Sequence, residues 1–231
     1  YRSHFARITA RDLAFAVLSG IALALHFAAW FESLAWTSVA ASVTLVQAQP
    51  VFVAIGAWLL LRERVTRRMV GGIALAVTGM VAMSFGDLLG GVLVGPRPLY
   101  GNALALFGAI TAAGYVLAGR ALRQRIALVP YVVVVYGVCT VSLLGIVLVE
   151  GHPLTGYPSR EWIIFAGLAV GPGLFGHTVL NWALAHLESS VVSVSLLGEP
   201  VGATILAVVF LSEIPTSATV IGGAVVLVGI A

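Results

Sequence analysis

The sequence predicts an all-α fold, a polytopic membrane helix bundle, from three observations: its composition, the length of its apolar runs, and a repeat between its two ends. Of its 231 residues, 60% are apolar and only 9% are charged. A soluble domain carries about 25% charged residues, so this chain lacks the polar groups to cover a water-facing surface. The formal net charge of +3 does not point to nucleic acid. All twelve basic residues are arginines, clustered in short stretches between apolar runs, and that pattern reports membrane orientation. The single cysteine, Cys139, stands inside an apolar run, so neither a disulfide framework nor a metal-spaced pair is available.

A hydrocarbon core about 30 Å thick takes roughly 20 apolar residues of helix. Such runs occur at Asp12–Trp30, Ser38–Leu61, Met69–Phe85, Asn102–Ala121, Pro130–Val149, Trp162–Ala185, Ser190–Leu211 and Thr216–Ala231, giving eight predicted spans. The connections are short and carry turn chemistry, as in Gly95-Pro96 and Gly151-His152-Pro153. The first run follows a basic flank, as a signal peptide does. It lacks a small-residue cleavage site and seven spans follow it, so it is read as a span. Alternating crossings bring Arg2, Arg7 and Arg11, the four arginines of the 62–68 loop, and Arg120, Arg123 and Arg125 to one side. The other side receives only Arg97 and Arg160. Ten against two predicts that the first side is cytoplasmic.

Shifting the chain by 150 residues, without a gap, superimposes two long stretches. Leu34-Ala35 meets Leu184-Ala185, Pro50-Val51 meets Pro200-Val201, Ile55 meets Ile205, and Ala57 meets Ala207. Leu61 and Glu63 meet Leu211 and Glu213, Thr66 meets Thr216, and Val70 meets Val220. Gly72 and Ala74 meet Gly222 and Ala224, and Gly79 meets Gly229. Apolar letters coincide readily by chance; a proline, a glutamate and two glycines in one register do not. The shift carries the second predicted span onto the seventh, five crossings later. An odd number of crossings reverses orientation, so the copies predict an inverted-topology repeat, an architecture on which secondary transporters are built.

The register also sets an expectation for length. The second copy begins near Tyr100, which places the start of the first about fifty residues before Tyr1. Ala231 pairs with Val81, beyond which the first copy runs on. The expected whole is therefore ten helices in two inverted five-helix repeats with both termini cytoplasmic, of which eight helices are present. Residues 1–87 would hold the last three helices of the first repeat, 88–99 a linker, and 100–231 the second repeat with its last helix slightly short.

The run Ser38–Gly79, with Pro50 mid-helix, Leu60-Leu61-Arg62-Glu63-Arg64-Val65-Thr66 and then Gly72 and Gly79, resembles the EamA-type repeat of the drug/metabolite transporter superfamily. The second copy reads Leu197-Gly198-Glu199-Pro200, then Leu211-Ser212-Glu213-Ile214-Pro215-Thr216, then Gly222-Gly223 and Gly229. The resemblance covers essentially the whole chain. It implies a bundle of two inverted five-helix halves around a central cavity, exporting or exchanging small metabolites. The first two helices, part of the family's cavity wall, have no counterpart in this sequence.

Glu199 is the acidic residue that stands well inside a predicted span. A charge at mid-bilayer costs on the order of 3 kcal/mol, so Glu199 is expected to face a cavity and to respond to protons or cations; the alternative is a hydrogen-bonded packing residue. Its repeat partner is Gln49, so both copies place a polar residue before the proline and one of them is ionisable. Pro50 and Pro200 each remove a backbone donor, which deprives the carbonyls of Val46 and Leu196 of their helical partner. Such kinks serve as hinges, or simply shape a bundle. His177 and Asn181 share a helix face, as do His26 and Trp30 on the equivalent helix. These four are candidates to line the solute pathway, against the plainer reading of interhelical hydrogen bonds and, for Trp30, an interfacial position. Tyr115, with Thr111 on the same helix, forms a further polar pair. Glu63 and Glu213 stand at helix ends, where capping or loop pairing is expected, and the repeated glycines permit close helix approach.

No nucleophile, metalloprotease, phosphate-loop or paired-aspartate motif is present, so no enzyme activity and no cofactor are expected. The expected partners are a small organic solute, the lipid bilayer and protons, with a homodimer left open and no nucleic acid. A non-transporting membrane scaffold or receptor subunit is the alternative from another class, and it requires a tightly packed centre.

Overall fold

A computed structural model describes residues 8–37, 39–89, 96–206, 208–209, 212 and 217–230. The helices are α1 (Ala10–Trp36), α2 (Val39–Val46), α3 (Gln49–Gly56), α4 (Arg67–Leu89), α5 (Pro98–Arg123), α6 (Leu128–Val149), α7 (Ser159–Leu168), α8 (His177–His186), α9 (Ser189–Leu196), α10 (Glu199–Leu206) and α11 (Ser217–Ile230). π-Helical stretches at Ala57–Leu61 and Ala169–Gly176 follow α3 and join α7 to α8.

Over their described residues, the eight predicted spans fall on helix except at Gln47-Ala48 and Leu197-Gly198, which are turns. Five stretches among those residues are long and apolar enough to cross a membrane: Ala10–Trp36, Ala41–Leu61, Pro98–Arg123, Leu128–Val149 and Ser159–His186. At about 1.5 Å per residue, the 22 residues of α6 reach across a hydrocarbon core of about 30 Å. Val133, Val141, Leu144, Leu148 and Val149 lie exposed along α6, an arrangement that is costly in water and comfortable in lipid. The chain is a multi-pass membrane protein.

Ser38–Leu61 and Ser190–Leu211 were expected to bend at mid-length at their prolines. Each is interrupted there by a two-residue turn, with Ala48 still in the right-handed helical region. After α2 the chain makes a tight turn at Gln47-Ala48, where Ala48 N–H donates to the Leu45 carbonyl at 3.1 Å and Val51 N–H donates to the Ala48 carbonyl at 3.0 Å. Pro50 then occupies the first turn of α3. In the second copy Leu197 N–H donates to Val194 at 3.0 Å and Gly198 N–H to Ser195 at 3.2 Å, and Pro200 follows in the first turn of α10. Proline is at home there, because its missing N–H would have had no helical acceptor and its fixed φ suits the helix. The Gly171-Pro172-Gly173 stretch is absorbed into the π-helical turns without ending the span.

The described residues form two compact units: residues 1–24 with 118–188, and residues 25–117 with 189–231. In the first unit α6 packs on α8, and a Cβ on Gly20 would fall 2.7 Å from the Val135 carbonyl, so α1 approaches α6 closely there. Arginine and glutamine side chains close the C-terminal turn of α8. Arg120 donates to the Leu184 carbonyl at 3.0 Å, Arg123 to the Asn181 carbonyl at 3.0 Å, and Gln124 to those of Leu184 and Ala185 at 3.2 Å each. Those last carbonyls have no partner within the helix, and cations suit that end of its dipole.

In the second unit the dominant contact is α4 against α11. A Cβ on Gly79 would fall 2.6 Å from the Gly222 carbonyl oxygen, and one on Gly229 would fall 2.7 Å from the Gly72 carbonyl oxygen and 2.6 Å from Ala76 N. Bilayers give helices little hydrophobic reason to associate, so close backbone approach through small residues supplies the packing. The helices run antiparallel, since Gly72 meets Gly229 while Gly79 meets Gly222. The 150-residue shift exchanges these two contacts, because it carries Gly72 to Gly222 and Gly79 to Gly229. The contact is thus self-complementary, as across a two-fold axis. Ala76, Met80, Leu197 and Val226 form the buried core beside it.

Candidate functional site

The second unit holds the two divided helices, and α3 packs against α9 within it. Gln47 lies in the turn between α2 and α3, and its side-chain amide Nε2 donates to Oε2 of Glu199 at 3.0 Å. Glu199 opens α10, where the free N–H groups and positive end of the helix dipole favour a carboxylate. Gln47 and Gln49 are both buried, while Glu199 is exposed on this unit. The divided helices thus bring an amide of the first copy to the carboxylate of the second.

Gln49 remains the repeat equivalent of Glu199, and the hydrogen-bond partner of Glu199 is Gln47, two residues earlier. Gln47 was missed in the sequence. Its signal was a second amide inside an apolar run.

The remaining candidates fall in two groups. In the second unit, His26 Nδ1 bonds to the Gly108 carbonyl at 2.9 Å, joining α1 to α5, and its ring stacks on Trp30 with centroids 5.8 Å apart. Thr111 Oγ1 donates to that same carbonyl and to Phe107, each at 3.0 Å. Trp30 stacks on Phe31 as well, and its buried indole Nε1 finds no acceptor among the described residues. Tyr115 is fully buried. Pro50 is buried in the first turn of α3; the side chain of Pro200 lies outside the described residues. Ser33 joins α1 to α2 through a 2.5 Å hydrogen bond with Ser42.

In the first unit, Asn181 is completely buried. Its Nδ2 donates to the His177 carbonyl at 2.8 Å and to the Tyr136 hydroxyl at 3.3 Å, and that hydroxyl also meets Thr178 at 3.3 Å. A neighbouring pair, Ser19 and Tyr131, bonds hydroxyl to hydroxyl at 2.9 Å. Polar groups in a span find one another because nothing else there can satisfy them. His177 and Asn181 therefore share a face as expected, with Asn181 at the centre of a hydroxyl network on α6 and α8.

Glu63 fulfils the capping role expected at helix ends. Its Oε2 accepts from Ser189 Oγ at 2.7 Å and from Ser189 N–H at 3.1 Å, while Oε1 accepts from the same N–H at 3.3 Å. It satisfies an orphan donor at the start of α9. Glu213 lies outside the described residues. Among those described, no group of three histidine, cysteine or acidic side chains is placed to hold a metal ion.

Comparison with known proteins agrees with this architecture. A solved crystal structure superimposes with a TM-score of 0.75 at 20% identity, covering 96% of this chain and 88% of that one, and establishes likeness of fold. An uncharacterized transporter of Archaeoglobus fulgidus is 25% identical over 216 residues, spanning 92% of this chain and 72% of that protein. A sequence model of the EamA-like transporter family matches residues 2–85 and 99–231. A multi-pass helical chain matched over nearly its whole length belongs to that family: this protein is a member of the EamA-like transporter family.

Proposed function

We propose that the chain is a secondary transporter that carries small organic solutes (amino acids, nucleosides or small drugs) outward across the inner membrane by alternating access between two inverted halves. The observation that carries this reading is the pair of helices divided at equivalent positions, Gln47-Ala48 and Leu197-Gly198, with Gln47 bonded to Glu199 between them. Discontinuous helices inside a membrane are tolerated where their backbone lines a cavity or is buried in protein, and inverted-repeat transporters place their solute sites there. In this reading, residues 1–87 and 100–231 are two copies of one repeat joined by 88–99, and the arginine-rich loops face the cytoplasm. Glu199 and Gln47 contact the solute or its co-transported proton, and Pro50 and Pro200 mark the hinges.

The test has two steps. Metabolite profiles of cells with and without the gene product identify the solute. Proteoliposomes loaded with it should then release it in a protein-dependent way, and equal release from protein-free liposomes would overturn the proposal. If protons couple through Glu199, then Glu199→Gln flattens the pH profile of the flux. A profile that survives unchanged removes Glu199 from coupling while leaving transport itself standing.

A further inference from the structure

An open apolar groove of about 370 Å³ lies on the second unit, along α3 and the first turns of α4. Val51, Ala54, Ile55 and Trp58 line it from α3 and the π-helical stretch after it, Val70 and Ile73 from α4, and Val65 from the loop between them. Trp58 is 63% exposed and Ile55 51%, so this is a slot open to the surroundings. Val65 stands in the loop between Arg64 and Arg67, and Val70 lies in the first turn of the helix that Arg67 opens. Arg62, Arg64 and Arg67 are exposed. The one carboxylate of that loop, Glu63, is turned to Ser189. The lining residues are all apolar, and three exposed arginines stand in and just after the loop that contributes Val65.

We infer that this groove is a binding site for an anionic phospholipid, with an acyl chain between Trp58 and Ile73 and the phosphate headgroup at Arg64 and Arg67. Charge complementarity selects the occupant. A zwitterionic lipid fills the slot equally well but has no net charge to offer the arginines, and a soluble phosphate meets the arginines but leaves the apolar walls bare. The headgroup level is where long cationic side chains of a membrane protein come to rest. The inference does not rest on the transport proposal, since it is argued from the groove's own lining and the arginines of the adjoining loop.

Quenching of Trp58 by brominated lipid tests it. The full chain is reconstituted in phosphatidylcholine bilayers containing a minor fraction of either dibrominated phosphatidylglycerol or dibrominated phosphatidylcholine. The Trp58 signal is taken as the difference between the wild type and Trp58→Phe. Brominated phosphatidylglycerol should quench Trp58 preferentially, with each arginine contributing about fivefold to relative association. Arg64→Gln with Arg67→Gln should bring the two lipids to parity, in a protein whose helix content by circular dichroism is unchanged. Equal quenching of the wild type by both lipids overturns the inference, as does a preference that survives the double substitution. Relief of the quenching by inorganic phosphate would assign the arginines to a free anion and overturn it as well.

Discussion

The two divided helices are the same backbone written twice with different chemistry. Val39–Val46 and Ser189–Leu196 occupy equivalent positions, as do Gln49–Gly56 and Glu199–Leu206, and each pair is separated by a two-residue turn. The equivalence continues past the helices: Arg62 and Ser212, 150 residues apart, both take left-handed backbone with φ of 55° and 56°. Neither is glycine, so each pays a steric cost for that conformation. Shared turns, shared prolines and shared left-handed exits show that backbone geometry follows the repeat. The side chains do not follow it. The first copy has Gln47 and Gln49 where the second has Leu197 and Glu199. On the proposed reading, the symmetric part of the molecule is its mechanical part, and the asymmetric part is where its chemistry resides.

The largest effect should come from breaking the symmetric part. Gly229→Leu adds a side chain whose first carbon would sit 2.6 Å from Ala76 N and 2.7 Å from the Gly72 carbonyl. Backbone cannot yield as a flexible side chain does, so α4 and α11 must separate. Overpacking of this kind costs about 1–3 kcal/mol or more, to be read as a lowered unfolding midpoint in detergent. Gly79→Leu, the repeat equivalent, should cost about the same. Gly71→Ala, with open space around it, should move the midpoint by no more than about 0.5 kcal/mol. A large difference between the Gly79 and Gly229 variants would show that the two-fold contact is an accident of packing.

The next effect breaks the asymmetric part and is read in function. Gln47→Leu gives the first copy the residue that the second carries at Leu197, and removes the amide that donates to Glu199. Flux should fall while the unfolding midpoint changes little, because Glu199 is exposed and water-screened pairs contribute about 0–1 kcal/mol. A Gln47→Leu variant with normal flux would detach this hydrogen bond from function.

Much of this architecture is legible in the amino-acid sequence. Run length found the five stretches long and apolar enough to cross a membrane among the described residues, since a helix in lipid has no alternative to an apolar run of about 20 residues. The glycines of α4 and α11 were legible as close-approach positions because only small residues permit it. The helix breaks were less legible. A proline in the first turn of a helix and a proline bending the middle of one look alike when apolar residues precede both. The turns themselves, Gln47-Ala48 and Leu197-Gly198, share no residue type. Repeat equivalence pairs Glu199 with Gln49 in sequence and is silent on contact, so the Gln47 amide that bonds Glu199 was not legible from it. Glu199 itself stood out because an ionisable group in a span is too costly to be incidental.

The smallest effect concerns the ends of the repeated helices. Glu63 holds the start of α9 through the N–H and hydroxyl of Ser189. Glu63→Ala removes that acceptor and should cost about 1 kcal/mol, the usual value of a lost N-terminal cap, while Glu63→Gln, which keeps one acceptor oxygen, should cost less. In sequence, the repeat equivalent of Glu63 is Glu213 and that of Ser189 is Val39. Valine offers an N–H but no hydroxyl, so Glu213→Ala should lower the unfolding midpoint by less than Glu63→Ala does. Equal losses would mean that the cap rests on the backbone N–H alone and that the serine adds nothing. A larger loss at Glu213 would mean that the two copies do not use their glutamates in the same way, and the backbone equivalence would then end at the left-handed residues Arg62 and Ser212.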